Sequence, residues 1–461
     1  MLFCIINYRE TVMKKIMLLL FIGLLALSPA IADGFNFDLD LGIEYMDIDA
    51  DGNPLVGLNL QPDISIGNFG IGLKGSVYFE LNIGGDPMIN LVLDNWIPEF
   101  VDGDDLLGNI QTAASLYLPI ITYVRYGYKG DPLYLKLGKI ENVTLGTGMF
   151  FNQYSNTSLP ENPLLGAVLD IDGRLFNFPY IGFEAITGNL SQFDTIGGRL
   201  YVRPLAFVDF PIIRDIQIAG SYAVDSMPEL YDDTFIDPGI VSMYGADVMI
   251  PFLNIPQGAF TLFSDVGFQP SPEPDVSDEI SIGYRAGFNG HIMNLLKFEA
   301  DVMFPTDGYR PGYFNASYDR DKREIYESDG LDFDNYFLHG GAGFNLFNDA
   351  IVFDLDLDSE ITYEAGTLGI VDPSLTARLS TGENLIGFFF FDAVYQKNNI
   401  EQDSVENFLL DIIDLKNSEI RANVSIKYSI FIIESGYVIT FDEFGGMQEP
   451  EITVGGTINL F

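Results

Sequence analysis

Residues 35–45 read Phe-Asn-Phe-Asp-Leu-Asp-Leu-Gly-Ile-Glu-Tyr, an unbroken alternation of apolar side chains with charged or small ones. In an extended chain successive side chains point to opposite faces, so this order makes one face greasy and the other wet. The pattern recurs at Phe69–Leu81, Ile280–Phe288, Leu296–Phe304 and Ile420–Ile430. In the last of these, Arg421, Asn423, Ser425 and Lys427 oppose Ile420, Ala422, Val424, Ile426 and Tyr428. Less regular copies lie near 115–128, 132–139, 180–188, 198–207, 214–225, 241–252, 258–268, 335–347, 350–363, 373–380, 384–396, 432–442 and 450–461. A chain built this way must cover one face of many antiparallel strands. A soluble sandwich or barrel does so with an apolar core. A transmembrane barrel does so with lipid outside and a polar lumen within.

Three features favour the membrane. The alternating stretches reach 10 to 13 residues, which suits tilted strands crossing about 25–30 Å of hydrocarbon better than ordinary strands of about 5–6 residues. Aromatic residues gather near strand ends (Tyr45, Tyr78, Tyr117, Tyr126, Tyr128, Tyr284, Tyr336, Tyr428, Tyr437), as interfacial girdles require. Connections also alternate in length: 347–349 and 381–384 are tight, whereas 83–114, 226–240, 306–334 and 397–417 are long. The expected fold is all-β, a single transmembrane antiparallel barrel with short periplasmic turns and long extracellular loops. Residues 33–461, at about 20–25 residues per strand and connection, give roughly 16–20 strands. The segment Asp403–Lys416 has helical spacing and is expected to pack on a loop or rim.

Charge narrows the partners. The chain holds 66 acidic against 23 basic residues, a formal charge of −43, yet it is 48% hydrophobic and 14% aromatic. That apolar content excludes a disordered polyanion. The charge argues against nucleic acid, which is bound by clustered cations that displace counterions. Past residue 32 no run of about 18 apolar residues occurs, which excludes a polytopic helical membrane protein.

The N-terminus reads as an address. Met13-Lys14-Lys15 precedes the apolar run Ile16–Leu27, and Ala30-Ile31-Ala32 closes it. A basic start, a short greasy core and a small-x-small end describe a secretory signal peptide, cleaved before Asp33. Residues 1–12 read as an upstream extension, with Met13 the initiator. Cys4 is the only cysteine, so the mature chain has no disulfide and no thiol chemistry.

Signal peptide, ten-residue alternating strands and the C-terminal Phe461 together resemble bacterial outer-membrane β-barrel proteins of the porin type. The resemblance covers the whole mature chain as a pattern. One departure is visible: Ile452, Val454, Ile458 and Leu460 are out of step with Phe461. A shorter likeness is Ile97-Pro98-Glu99-Phe100 followed by Asp102, Asp104 and Asp105, which resembles the constriction loop of general porins. The resemblance implies residence in the bacterial outer membrane. It also implies lipid, small solutes and the barrel-assembly machinery as partners, with no cofactor.

Several groups of residues are candidates for function. Arg125, Lys136, Lys139, Arg174, Arg199 and Arg203 fall on polar faces of neighbouring predicted strands and would form a basic patch on one lumen wall. Asp38, Asp40, Glu44, Asp247, Asp265, Glu299, Asp301, Asp354, Asp356 and Asp358 lie on the polar faces of other walls. A basic wall facing acidic ones sets a transverse field that selects solutes; the plainer reading is that these charges pair across strands. Asp47, Asp49 and Asp51 with Gly52 match the opening of a calcium loop. The bidentate Glu of the full signature is absent, because its place is held by Leu58; a solvated turn is the plainer reading.

The acidic runs Asp225–Asp237, Glu273–Glu279 and Asp442–Glu451 read as solvated loops. His291 and His339 are the only histidines, and no serine or aspartate spacing nominates a nucleophile beside either. The expected function is a channel for passive diffusion of small hydrophilic solutes, its lumen acidic and biased towards cations. The alternatives are a barrel plugged by loops such as 142–173, which acts as a surface-exposed binding or structural protein or carries one specific ligand, and an outer-membrane hydrolase.

Overall fold

The computed structural model describes residues 35–458 apart from 49–53, 83–87, 93–119, 160–163, 272–278, 328–334, 401–404 and scattered turn positions. The signal peptide, Phe461, the 97–105 segment and two residues of the calcium motif, Asp49 and Asp51, lie outside the described residues.

The strands are β1 (Phe35–Ile48), β2 (Pro54–Ile66), β3 (Phe69–Leu73), β4 (Gly75–Asn82), β5 (Met88–Val92), β6 (Ile121–Tyr126), β7 (Leu133–Gly138) and β8 (Gly166–Asp172). There follow β9 (Ile181–Thr187), β10 (Thr195–Val202), β11 (Gln217–Asp225), β12 (Val241–Ile255), β13 (Gly258–Pro270), β14 (Ile280–Ile292) and β15 (Leu296–Pro305). The last are β16 (Asn335–Leu346), β17 (Ile351–Glu364), β18 (Thr367–Thr381), β19 (Phe389–Lys397), β20 (Ser418–Tyr428), β21 (Phe431–Thr440) and β22 (Glu451–Ile458). Among the described residues two helices longer than a single turn stand apart from the sheet, α1 (Tyr318–Glu327) and α2 (Val405–Ile413); single turns of helix lie at Gly173–Phe176 and Pro211–Arg214. The second falls inside the segment whose spacing predicts a helix.

All 22 strands belong to one sheet. From β6 onward each strand pairs antiparallel with the next, and β22 returns to β1 with Gly42 opposite Thr457. The wall therefore closes on itself. Where the sequence predicts one strand over 69–81, the chain breaks at Lys74: β3 and β4 both pair with β2, as two halves of one stave. Beside them β5 pairs with β4 and β6 with β3. Strand β5 ends at Val92 and β6 begins at Ile121 in the same stave. The expected long connection 83–114 is corrected accordingly, since Met88–Val92 is strand. Counting these two split staves once each, the ring has 20. An even number brings both ends of the barrel to one rim.

That rim carries the tight connections 67–68, 256–257, 293–295 and 429–430; the opposite rim carries 139–165, 226–240, 306–334 and 398–417. Exceptions lie on both rims, among them 203–216 on the first and 365–366 on the second.

The outer face is apolar. Leu200, Ile218, Tyr222, Leu262, Phe288, Leu338 and Phe344 all stand uncovered, an arrangement that water would oppose by about 25 cal/mol per Å². Aromatic residues band this face at two heights. Towards the long-loop rim Tyr244 stacks on Phe268 at 5.2 Å, and Phe304 meets Tyr336 at 5.1 Å. Towards the other rim Phe252, Phe260, Phe288 and Phe298 touch in series. Tyr244 and Phe252 are eight residues apart on β12, about 21 Å of height for a strand tilted by about 40°. The buried core lies on the inner side: Met149, Phe150, Phe151, Tyr154, Tyr309, Phe314 and Tyr318 pack against Val168, Ile186, Ala223 and Met243 of the wall.

Candidate functional site

Two connections from the long-loop rim fill one side of the lumen. The first, 139–159, enters as a finger whose tip is a turn: Gly148 N–H donates to Leu145 O, and Gly146 and Gly148 take positive φ. Gly146 N–H donates to Glu184 Oε2 at 3.0 Å, and Arg285 Nη2 to Thr147 O. Asn156 ties the base of the finger, donating to Gly138 O and Gly188 O and accepting from Ile140 N–H at 2.7 Å. The second connection brings Tyr309, Phe314 and α1 alongside. Phe151 stacks on Phe314 at 4.5 Å.

Glycines make the socket. Gly245, Gly267 and Gly283 sit side by side on β12, β13 and β14. A Cβ on Gly245 or Gly267 would meet Phe150 at 2.9 Å, and one on Gly283 would overlap Tyr309. Gly197 likewise leaves room for Phe151, and Gly188 for Tyr154. The Gly197-Gly198 pair, which the sequence suggests as a strand bend, thus seats an aromatic ring.

A buried ionic knot holds the two connections to the wall. Lys322 of α1 reaches Asp194 at 2.9 Å and Asp225 at 2.8 Å. Tyr154 Oη donates to Asp319 at 2.9 Å, and Tyr318 Oη to Asp225 at 2.8 Å. All three carboxylates and the lysine are buried, so three acids share one cation. Asp194 Oδ1 and Asp319 Oδ1 are buried without a hydrogen-bond partner. Burial pushes the Asp319 carboxyl up to about 6, opposed by Lys322 and by the Tyr154 hydroxyl and reinforced by Asp194 and Asp225. Burial would lower the Lys322 ammonium, but attraction from Asp225 and Asp194 outweighs it and raises it.

The candidate cations do not form an open basic wall. Arg199 is 1% exposed under the finger, clamped on both oxygens of Asp247 at 2.6 and 2.9 Å and reaching Glu184 at 3.2 Å. Arg203 clamps Asp172 at 2.7 and 3.1 Å. Asp265 pairs with Arg285 at 2.9 Å. Arg125 is directly across from Lys136 on neighbouring strands, bonds Ser65 at 2.8 Å and lies over the Tyr128 ring. Lys136 lies over the Tyr123 ring. Two positions are corrected: Lys139 lies just beyond β7, paired with Glu141, and Arg174 sits in a rim turn on Asp215. Cross-strand pairing accounts for Arg199 and Arg203, because a desolvated guanidinium needs a carboxylate beside it. Asp47 lies at a bulge near the end of β1.

The opposite wall is different. Register places Glu299 and Asp301 on β15, His339 on β16 and Asp354, Asp356 and Asp358 on β17 along one inward face. The Glu299 and Asp358 side chains are 54% and 58% exposed, against 5% for Asp247. Among the described residues the lumen is therefore occupied on its β8–β14 side and less covered on its β15–β17 side. A recess of about 350 Å³ lies there, lined by Asn289, His291, Lys297, Glu299 and Asp354. His339 Nδ1 is 2.7 Å from Asp358 and Nε2 is 3.5 Å from Glu299. His339, Glu299 and Asp356 each offer a ligand atom within 4.8 Å of the others, a donor set suited to a divalent ion. Sequence reading put these residues on polar faces without joining them. Only the strand register brings them together.

A closed antiparallel barrel with an apolar, aromatic-banded exterior and a charged interior is an outer-membrane transmembrane β-barrel of porin-like architecture. No protein-family model and no curated protein matches the chain. Among solved structures it is similar to OccK5 (OpdH) of Pseudomonas aeruginosa, with 10% identity over 93% of this chain and 98% of that one, TM-score 0.35. It is similar to OpdK of the same organism, solved with vanillate, at 10% identity, the same coverage and TM-score 0.35. The outer-membrane protein OprD of that organism gives 11% identity over 93% and 92%, TM-score 0.30.

Proposed function

We propose that the protein is an outer-membrane channel for small hydrophilic solutes. The passage is the crescent between the finger and the β15–β17 wall, and its lining favours cations. The observation that carries this is the acidic inward face of Glu299, Asp301, Asp354, Asp356 and Asp358, exposed at Glu299 and Asp358 and half-buried at the other three, and answered on the same face by His339, Lys297 and Arg378. Carboxylates on strands about 4.8 Å apart concentrate cations and repel anions. In a planar bilayer under a salt gradient, the native protein should give a reversal potential of cationic sign. Asp354→Asn with Asp356→Asn should move it towards zero, and an unchanged potential would overturn the assignment of that wall. Residues 1–32 are read as the signal peptide of this single barrel, inserted into lipid by the assembly machinery.

A second reading is a barrel closed by its own finger that binds a ligand at the long-loop rim. The buried aromatic socket favours it. Liposome swelling with graded sugars separates the two, since a crescent passes the smaller sugars and a closed barrel passes none. A hydrolase finds little support, because the described partners of His339 are two carboxylates, Asp358 and Glu299, with no hydroxyl nucleophile among them.

A further inference from the structure

The described part of the connection 398–417 lies outside the lumen. Lys397 stands across from Leu375 and Ser418, and Tyr395 across from Ala377 and Ile420. This is the face opposite to Asp354, Arg378 and Arg421, so Tyr395 and Lys397 point out of the barrel. Yet Lys397 is 1% exposed and Leu375 7%. What covers them is the segment carrying α2. Tyr395 Oη donates to Ile412 O at 2.6 Å, and Lys397 Nζ donates to Lys416 O at 2.6 Å and Asp414 O at 3.1 Å and pairs with Asp411 at 3.3 Å. Ile400 N–H donates to Pro373 O at 3.0 Å. The loop is folded down over the outside of β18–β20.

The side that α2 turns away from the barrel shows apolar residues between Asn407 and Asp414. Asp411 is turned inward onto the barrel, whereas Leu410 and Ile413, one helical turn apart on the other side, are 56% and 74% exposed, and Leu415 follows at 40%. A water-facing helix would hide these side chains and show the aspartate. Height fixes the neighbour. β19 has nine residues, about 23 Å of rise at a tilt near 40°, close to the roughly 25 Å apolar band of such barrels. The helix at the far end of β19 therefore meets the boundary between acyl chains and headgroups, and its apolar side continues the greasy belt of the wall.

We infer that α2 is an interfacial helix, which lies against the barrel exterior through Lys397 and Asp411 and embeds Leu410 and Ile413 in the outer leaflet. The inference rests on the wall being membrane-embedded, and the test separates the two. Trp96 is the only tryptophan, so a Trp96→Phe background allows single reporters at Ile413→Trp, Leu410→Trp and, on the wall, Leu200→Trp. Each full-length variant is placed in phosphatidylcholine vesicles with or without bromine on the acyl chains. The expected result is quenching of at least about twofold at Ile413→Trp and Leu410→Trp, as for an interfacial helix, and at the wall reporter. A quenched wall reporter with unquenched, red-shifted helix reporters would overturn the helix assignment alone. A helix reporter shielded from bromine only when a second copy cross-links to it would assign that face to self-association instead, and would equally overturn it. An unquenched wall reporter would overturn the membrane reading itself.

Discussion

Protonation should tighten the knot that holds the plug. The groups facing Asp319 are Lys322 on its own helix, Tyr154 on the finger, Asp194 ahead of β10, Asp225 at the end of β11 and Tyr231 on the 226–240 connection. The Asp319 carboxyl moves from 3.8 to about 6 on folding. The folded state then binds the proton more tightly than the open one, so the contribution of Asp319 to plug stability is greatest below about pH 4 and falls as pH rises through 6. A shift of about two units corresponds to about 3 kcal/mol across that window, and Asp319 is 3% exposed, so solvent screens little of it. Asp319→Asn keeps the acceptor for Tyr154 and removes the titration. The assay is amide hydrogen exchange of α1 between pH 4.5 and 8, corrected for intrinsic rates, beside single-channel conductance. The native protein should lose protection and gain conductance with rising pH, by up to about 100-fold in protection for the full shift. Asp319→Asn should be flat and protected throughout. A native profile without pH dependence, or an asparagine variant with the native slope, would refute the reasoning.

Lys322→Met leaves Asp194 and Asp225 without their cation and should destabilise the plug by about 3–5 kcal/mol, read as proteolysis of 306–334 in otherwise intact barrels. Arg199→Ala strands Asp247 and Glu184 beneath the finger; it should raise conductance through loosening, at an unchanged sign of ion selectivity, in bilayer recordings. Gly197→Val puts branched carbon where the Phe151 ring lies and should release the finger, detected as faster exchange at residues 149–154, whereas Gly198→Ala, with no contact nearer than 3.9 Å, should not. N-terminal mass analysis of the membrane-extracted protein should begin at Asp33; retention of Lys14 would remove the signal-peptide reading.

The wall was legible because period-two alternation is a local property, written in each strand regardless of its neighbours. Residues 280–288 and 296–304 state their two faces in nine residues apiece. The rim helix was legible for the same reason, through the spacing of Val405, Phe408, Leu409, Ile412 and Ile413. The side on which that helix lies was not, because it depends on Lys397 pointing outward. The finger hid for a related reason. Residues 142–159 carry no charge and no period, and their partners are Arg199, Arg285 and Phe314, distant in sequence. Nor did composition separate a guanidinium lining water from one buried under a loop. What could have pointed to the socket is the inward phase of Gly245, Gly267 and Gly283: each falls where a polar or bulky lumen residue is expected.

Both arms of the stopper hang from the same mouth. The finger and the α1 connection each go in and come back at the long-loop rim, and they grip one another through Phe151 on Phe314 and Tyr154 on Asp319. Both connections begin and end at that rim. Because each arm grips the other, loosening either contact bears on the pair together rather than on one arm alone.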